Sequence, residues 1–409
     1  MTKSNKLKIF NDPIYGFIGI PNSQIFKLID DPYFQRLRRI SQMGLTYLVY
    51  PGAHHTRFHH ALGAMHLMEQ AVQVLRFKEV EITQEEQEGL LAAILLHDIG
   101  HGPFSHALEH SLVEGVHHED ISLLFMEALN DKFNGSLTMA MEIFKGSYPK
   151  KFLNQLVSSQ LDMDRLDYLK RDSFYTGVAE GNINAERLIT MLNVMDGELV
   201  VEEKGIYSVE KFLMARRFMY WQVYLHKTGL VAEQLLIHTL RRAKELLEKG
   251  DELHGGSALL HFMKTKINKA NFDTHALDQF ARLDDVDVLA AIKSWQDHQD
   301  FVLSNLCNMI INRSLLHVKV KNRPFDPAKI KSRLEDVMEK HQLSDKEAAY
   351  FVFSGEIRNT AYDKKRQNIL ILRDNGKITD VAKASDQLNL NALANTVTKY
   401  YLCYPKNRM

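Results

Sequence analysis

Apolar residues recur at helical spacing along most of the chain. The pattern predicts helices over about 31–43, 59–76, 83–97, 118–130, 162–176, 184–194 and 208–248, with more over 256–312 and 327–353. Period-two alternation is confined to short stretches. Residues 6–19 alternate around a turn holding Pro13 and Gly16, residues 198–209 read as a hairpin around Lys204-Gly205, and residues 366–384 as one turning at Asp374-Asn375-Gly376. Gly250, Gly255 and Gly256 cluster after the longest helical pattern, so the expected division is 1–250 and 251–409. These elements predict a mainly α protein with small peripheral β-hairpins and an α+β C-terminal region.

Composition narrows the class without naming a function. With 409 residues, 45% apolar and 25% charged, the chain can bury a large core. Lys+Arg and Asp+Glu both number 51, so no global basic field exists to hold a nucleic-acid backbone, and nucleic acid is not an expected partner. The local basic stretch HVKVKNR, with Lys319, Lys321 and Arg323, reads as a solvated strand edge. Two cysteines, Cys307 and Cys403, exclude a disulfide framework and a sulfur-rich zinc site. No apolar stretch has signal-peptide or membrane-span length, and the expectation is a soluble cytoplasmic protein with no membrane partner.

Histidine changes the picture. Eleven of 19 histidines fall between His54 and His118. Imidazole is the common neutral metal ligand and the side chain that best moves protons near neutral pH. In LLAAILLHDIGHGPFSH, residues 90–106, an apolar helix runs straight into His97-Asp98, where an imidazole and a carboxylate are costly unless paired or metal-bound. Gly100, Gly102 and Pro103 break the helix there and open space for a ligand. HHTRFHHALGAMHL, residues 54–67, offers His60 early in an amphipathic helix, with Arg57 suited to a phosphate oxygen. In SQLDMDRLDYLKRDSFYTG, residues 159–177, Asp164, Tyr168, Asp172 and Tyr175 share one helix face, which read alone is as well a solvated stripe. In ARRFMYWQVYLHKTG, residues 215–229, Arg216, Tyr220 and Tyr224 recur every four residues and suit either an anion and a base or a core.

His60, His97-Asp98 and Asp164, in that order, resemble the H…HD…D pattern of the HD-domain metallophosphohydrolases. The wording of FNDPIYGFI, FQRLR, YPGAHHTRFHHALG, LLHDIGHGPFSH, DMDRLDYLKRD and YLHKTG is similar to that of the deoxynucleoside triphosphate triphosphohydrolases, the sterile-alpha-motif-linked animal enzymes and their bacterial relatives. The resemblance runs from about Lys8 to Gly229 and more loosely beyond. It implies an HD-domain helical core within residues 1–250, with residues 251–409 for support and oligomer assembly. It implies a divalent ion (Fe, Mn, Mg, Zn or Ni) held by His60, His97, Asp98 and Asp164. Triphosphate would be bound by Arg57, Arg165 and Arg216, the sugar by Tyr168, Asp172 and Tyr224, and the base near Gln42 and Met43. Proton transfer would fall to His106, oriented by Glu109, with His118 second and His101 beside the phosphates. The reaction implied is water attack on the α-phosphorus, giving deoxynucleoside and inorganic triphosphate. Leu225 departs from the glutamine of the animal enzymes near the substrate. The alarmone-hydrolase pattern of acidic residues shortly after His-Asp is absent, as is the Gly-Tyr-Pro signature of cyclic-dinucleotide hydrolases.

The same resemblance implies a regulatory site for GTP or dGTP at Lys8, Ile9, Asn11, Asp30, Gln35, Arg38 and Arg313, and a homo-oligomer, dimer or tetramer. Taken alone, FQRLR is also a helix with a solvated basic face.

Overall fold

The computed structural model describes residues 8–104, 113, 115–363, 367–386 and 393–406. The chain opens with the antiparallel hairpin β1 (Ile9–Asp12) and β2 (Gly16–Gly19), followed by α1 (Ser23–Asp30), α2 (Pro32–Gln35) and a 3-10 turn over Arg36–Arg39. The helix expected over 31–43 is therefore two short pieces. Asp31 caps Pro32 at the first position, and the chain then tightens so that Arg36 turns inward. Its fully buried guanidinium donates to the His101 carbonyl at 2.8 Å and lies 5.5 and 5.2 Å from the Phe125 and Phe280 rings.

Six helices then build the core: α3 (Arg57–Phe77), α4 (Gln84–Leu96), α5 (His118–Lys132), α6 (Thr138–Lys145), α7 (Lys151–Val157) and α8 (Met163–Thr176). A Thr83–Glu86 capping box starts α4, and Leu90–Leu96 bury completely, since α3 and α6 cover the helix. Asp162 caps α8 and Gly177, in the left-handed conformation, ends it. Helix α8 packs across α3, which brings the end of α4 and the starts of α3 and α8 to one place.

Short α9 (Ala185–Thr190) leads into β3 (Leu192–Met195) and β4 (Glu198–Glu202). This hairpin turns at Asp196-Gly197, both at positive φ, so the expected hairpin over 198–209 lies one strand earlier. Lys204-Gly205 instead belongs to a 3-10 turn that launches α10 (Ile206–Met219). The single helix expected over 208–248 is broken. A π-helical turn follows at Tyr220–Tyr224, Leu225 leaves the helix, and His226 caps α11 (Lys227–Glu248).

The remainder comprises α12 (Ser257–Lys264), α13 (Thr274–Ala281), α14 (Asp285–Ser294), α15 (Phe301–Ile311), β5 (His317–Lys321), α16 (Pro327–His341), α17 (Asp345–Ala348), β6 (Phe353–Asn359), β7 (Leu370–Leu372), β8 (Ile378–Asp380), α18 (Val381–Ala384) and β9 (Val397–Tyr404). Among the described residues there are three sheets, ordered β1-β2, β3-β4-β7-β8 and β5-β9-β6. The pair β7-β8 is the hairpin expected around Asp374–Gly376. Strand β7 also runs parallel to β4, with Val200 opposite Leu370, and so ties the C-terminal region to the core. The fold is mainly α with small peripheral sheets, as its sequence predicts. No described helix is long and apolar enough to cross a membrane.

Candidate active site

Three helix ends converge on one group of ligand atoms. His60 sits in the first turn of α3, His97 directly follows α4, and Asp164 lies in the first turn of α8. Their donor atoms lie within 4.8 Å of one another. The two Nε2 atoms are 3.4 Å apart, and Asp164 Oδ1 lies 3.1 Å from that of His60 and 3.5 Å from that of His97. Each Nδ1 is already committed as a donor, from His60 to Asp167 Oδ2 at 2.7 Å and from His97 to the Ile94 carbonyl at 2.6 Å. In the neutral rings, both Nε2 lone pairs and a carboxylate oxygen thus face one point with no donor among them. Such a set fits a divalent cation, and its two imidazole nitrogens favour a transition ion over Mg. Electrostatics points the same way. Burial alone would lower the His60 pKa, but hydrogen bonds to Asp164 and Asp167 push it up to about 10. Without a cation, the site attracts a proton instead.

Asp98, the expected fourth ligand, stands beside this group. Its oxygens are 3.4 Å from His97 Nε2 and 3.7 Å from His60 Nε2. The carboxylate pairs with the Arg57 guanidinium and accepts from His101 Nε2 at 3.2 Å. Burial opposes the charge, but His97, Arg57 and His101 hold the carboxyl well below the usual carboxylate range. Asp98 therefore joins the ligand group to the side chains expected at the phosphates.

Those side chains line up from there. The His101 and His118 rings stack at 3.9 Å and 16°. Burial, then Arg57, depresses the His101 imidazole well below its ordinary range and keeps it neutral. His106 and Glu109 lie outside the described residues. Arg165 donates to Asp162 at 3.1 Å, and Arg216 to Gln160 Oε1 at 3.1 Å. The Nε of each is buried without a hydrogen-bond partner, so both guanidiniums keep a donor unspent.

On the far side, both oxygens of buried Asp172 have donors: the Tyr224 hydroxyl at 2.7 Å and His55 Nε2 at 2.6 Å. The π-helical turn carries Tyr224 there, with its ring 6.2 Å from Tyr168 and 5.2 Å from Tyr220. Tyr175 stacks on His55 at 4.4 Å. Gln42 reaches the same wall: its backbone N–H donates to the His55 carbonyl, while its buried Oε1 has no partner. Met43 packs half-buried against the core.

Sequence reasoning missed His55, Gln160 and the trio Asp12, Asp167 and Arg171 behind His60. The available signal was Asp167-x-x-x-Arg171, an acid–base pair four residues apart on a face left unassigned. The role given to Gly100 also changes. Its φ is ordinary, but an added Cβ would lie 2.2 Å from the His118 carbonyl oxygen and 2.3 Å from Ser122 N. Glycine there lets α5 approach rather than opening space for a ligand.

Of the expected regulatory residues, Gln35 and Arg38 are hydrogen-bonded to each other, and Arg38 lies 3.6 Å from the Phe58 ring. Lys8 sits over Phe26, while Ile9, Asn11 and Asp30 are exposed nearby on β1 and α1. Arg313 donates to the Leu48 carbonyl at 2.7 Å.

The HD domain family model matches residues 57–169, and the HD associated region model matches residues 183–255. A crystal structure of a phosphohydrolase from Bacteroides thetaiotaomicron is 50% identical, with a TM-score of 0.95 over 98% of this chain and all of that one. The uncharacterized protein YwfO of Bacillus subtilis is 32% identical over 99% of this chain and 94% of its own length. A deoxynucleoside triphosphate triphosphohydrolase SAMHD1 homolog of Dictyostelium discoideum is 33% identical over 64% of this chain, and the match spans 54% of that enzyme.

Proposed function

The chain belongs to the HD-domain phosphohydrolase family, and from that premise we propose that it cleaves deoxynucleoside triphosphates into deoxynucleoside and inorganic triphosphate. The observation that carries the reading is Asp98, which joins the His60–His97–Asp164 group to Arg57 and His101. A divalent ion held by His60, His97, Asp98 and Asp164 would lower the pKa of water and polarise a phosphoryl oxygen. Arg57, Arg165 and Arg216 bind the triphosphate and neutralise its charge, using the buried donors that Arg165 and Arg216 keep free. His101, neutral by burial, spends its one N–H on Asp98 and so holds that carboxylate in place beside the phosphates. The leaving 5′-oxygen takes its proton from His106, oriented by Glu109, with His118 as second donor. Asp172, fixed by Tyr224 and His55, accepts the 3′-hydroxyl. Tyr168 and Tyr224 close the floor where a 2′-hydroxyl would sit, so ribonucleotides are rejected. The base lies beside Gln42 and Met43. Guanine nucleotides at Lys8, Ile9, Asn11, Asp30, Gln35, Arg38 and Arg313 promote a dimer or tetramer, with residues 251–409 supporting assembly.

The test is incubation of metal-replete protein with each nucleoside triphosphate, followed by ion chromatography. Inorganic triphosphate from dNTPs and none from ATP is expected. Pyrophosphate or monophosphate as product, or equal turnover of ATP and dATP, overturns the reading. Light scattering with and without dGTP tests the regulatory part, which an unchanged oligomer and unchanged dATP turnover would remove.

A further inference from the structure

A line of buried charges runs from the N-terminal hairpin to the back of His60. Asp12 ends β1 and is 7% exposed. Its Oδ1 accepts from the backbone N–H groups of Ile14 and Tyr15 at 2.9 and 3.0 Å, which closes the hairpin turn. Its Oδ2 accepts from Arg171 Nη1 at 2.8 Å. Arg171 is wholly buried and grips Asp167 with two parallel hydrogen bonds, 2.9 and 3.0 Å long. Asp167 then accepts from His60 Nδ1. Gly63, three residues past His60 on α3, leaves the room this line needs. A Cβ there would lie 2.0 Å from Asp167 Oδ1 and 2.2 Å from Arg171 Nη2.

We propose that Asp12 and Arg171 are positioning residues for the metal centre, acting through Asp167 on the His60 imidazole, so that the N-terminal hairpin is part of the apparatus that aims this ligand. The inference rests on the metal-centre reading given above. The physical reason is the division of charge. Two carboxylates share one guanidinium, so Arg171 cannot fully neutralise Asp167, and a residual negative charge faces His60 Nδ1. That charge holds the proton on Nδ1, fixes the ring and keeps the lone pair of Nε2 directed at the ligand group. Remove the charge of Asp12 and Arg171 turns wholly to Asp167, which weakens the hold of Asp167 on His60. A hairpin pinned only for stability would need one ion pair, and it would not need to end on a ligand.

The measurement is the dissociation constant of Zn or Mn from the purified full chain, by competition with a chelator. Asp167→Asn should weaken binding by about 10–100-fold, as replacement of such supporting groups does elsewhere. Asp12→Asn keeps the Oδ1 acceptor that closes the turn but loses the charge and the acceptor facing Arg171, and a several-fold weakening is expected. Because Asp12 acts through Asp167, the double variant should bind no more weakly than Asp167→Asn alone. Arg171→Lys leaves the contacts of Asp12 within the turn untouched but cannot make the two parallel hydrogen bonds that orient the Asp167 carboxylate toward His60, so metal binding should weaken here too, which guards against an unfolded Asp12→Asn. In the zinc-loaded protein the Nδ1 proton of His60, seen by NMR, should move in Asp12→Asn. Folded Asp12→Asn and Arg171→Lys that bind metal like the parent, or additive losses in the double variant, overturn the proposal. A parent protein that takes up no ion overturns the metal-centre reading itself.

Discussion

Replacing Gly100 by alanine tests whether the segment after His97-Asp98 is locked against α5. The added methyl would lie 2.2 Å from the His118 carbonyl oxygen, 2.3 Å from Ser122 N and 2.8 Å from Ile121 C. All three are backbone atoms, so no side chain can swing aside. Ordinary contact begins at 3.4 Å, so loop and helix must part by more than 1 Å. Parting them strains two buried hydrogen bonds, Gly100 N–H to Ser122 Oγ at 2.9 Å and the Ser122 hydroxyl to the His97 carbonyl at 2.8 Å. Buried polar groups left unpaired cost about 1–3 kcal/mol each, and overpacking adds about 1–3 kcal/mol. Because the bonds are stretched rather than lost outright, the expected loss lies in the lower part of that sum, about 3–5 kcal/mol. The opposing effect is small, because Gly→Ala at a compatible φ stabilises by only about 0.4–1 kcal/mol through the unfolded chain. The sign of the change therefore decides. Urea unfolding of the metal-free protein should show a clearly lower midpoint at unchanged slope. Turnover should fall on the order of 10²-fold, since α5 carries His118 and a shift of about 1 Å is costly in an aligned site. An unchanged or higher midpoint with parental turnover would refute the packing argument.

Asp285 holds both edges of the site from the C-terminal region: Oδ1 accepts from Phe104 N at 2.9 Å and Oδ2 from Ser41 N at 2.8 Å. Asp285→Ala should destabilise by about 2–5 kcal/mol by stranding two amides, and Asp285→Asn by less, as denaturant titration would reveal. His238 sets a pH dependence. Burial pushes its imidazole below 6.5, although a 3.0 Å hydrogen bond to the Tyr350 carbonyl partly opposes this. The folded protein keeps it neutral, so its contribution is complete above pH about 6.5 and is lost as pH falls toward the folded value. The stability of the parent relative to His238→Gln should fall over that range, and a constant difference would count against the assignment. Chelation should lower the thermal midpoint, and free ion at a hundred times the dissociation constant should restore about 2.7 kcal/mol. His97→Ala, lacking a ligand, should show no such response.

The ligand group was legible because its chemistry contradicts its surroundings. Seven apolar or small residues leading into His97-Asp98 leave a buried imidazole and carboxylate that require a partner, and spacing alone puts Asp164 on one face with Tyr168 and Asp172. The supports of these ligands were not legible, because each depends on a residue far off in the chain. Arg171 and Asp12 are 159 positions apart, and Asp172 and His55 are 117 apart. A charged residue on a helix gives no local sign of whether it faces solvent or a distant counter-charge, and the solvated reading wins by default. The break of α10 into a π-helical turn was hidden for a related reason. Tyr220-Trp221-Gln222-Val223-Tyr224 has ordinary helical content, and the contact that accompanies the π-helical turn, the Tyr224 hydroxyl on Asp172, is a tertiary one with no local sign. The hairpin near Lys204-Gly205 failed differently. Asp196-Gly197 and Lys204-Gly205 both offer glycine turns, and only pairing of Leu192–Met195 with Glu198–Glu202 selects the first. The sequence thus revealed the residues that bear chemistry, whose cost of burial is intrinsic, and concealed the residues that aim them, whose role exists only once the chain has closed.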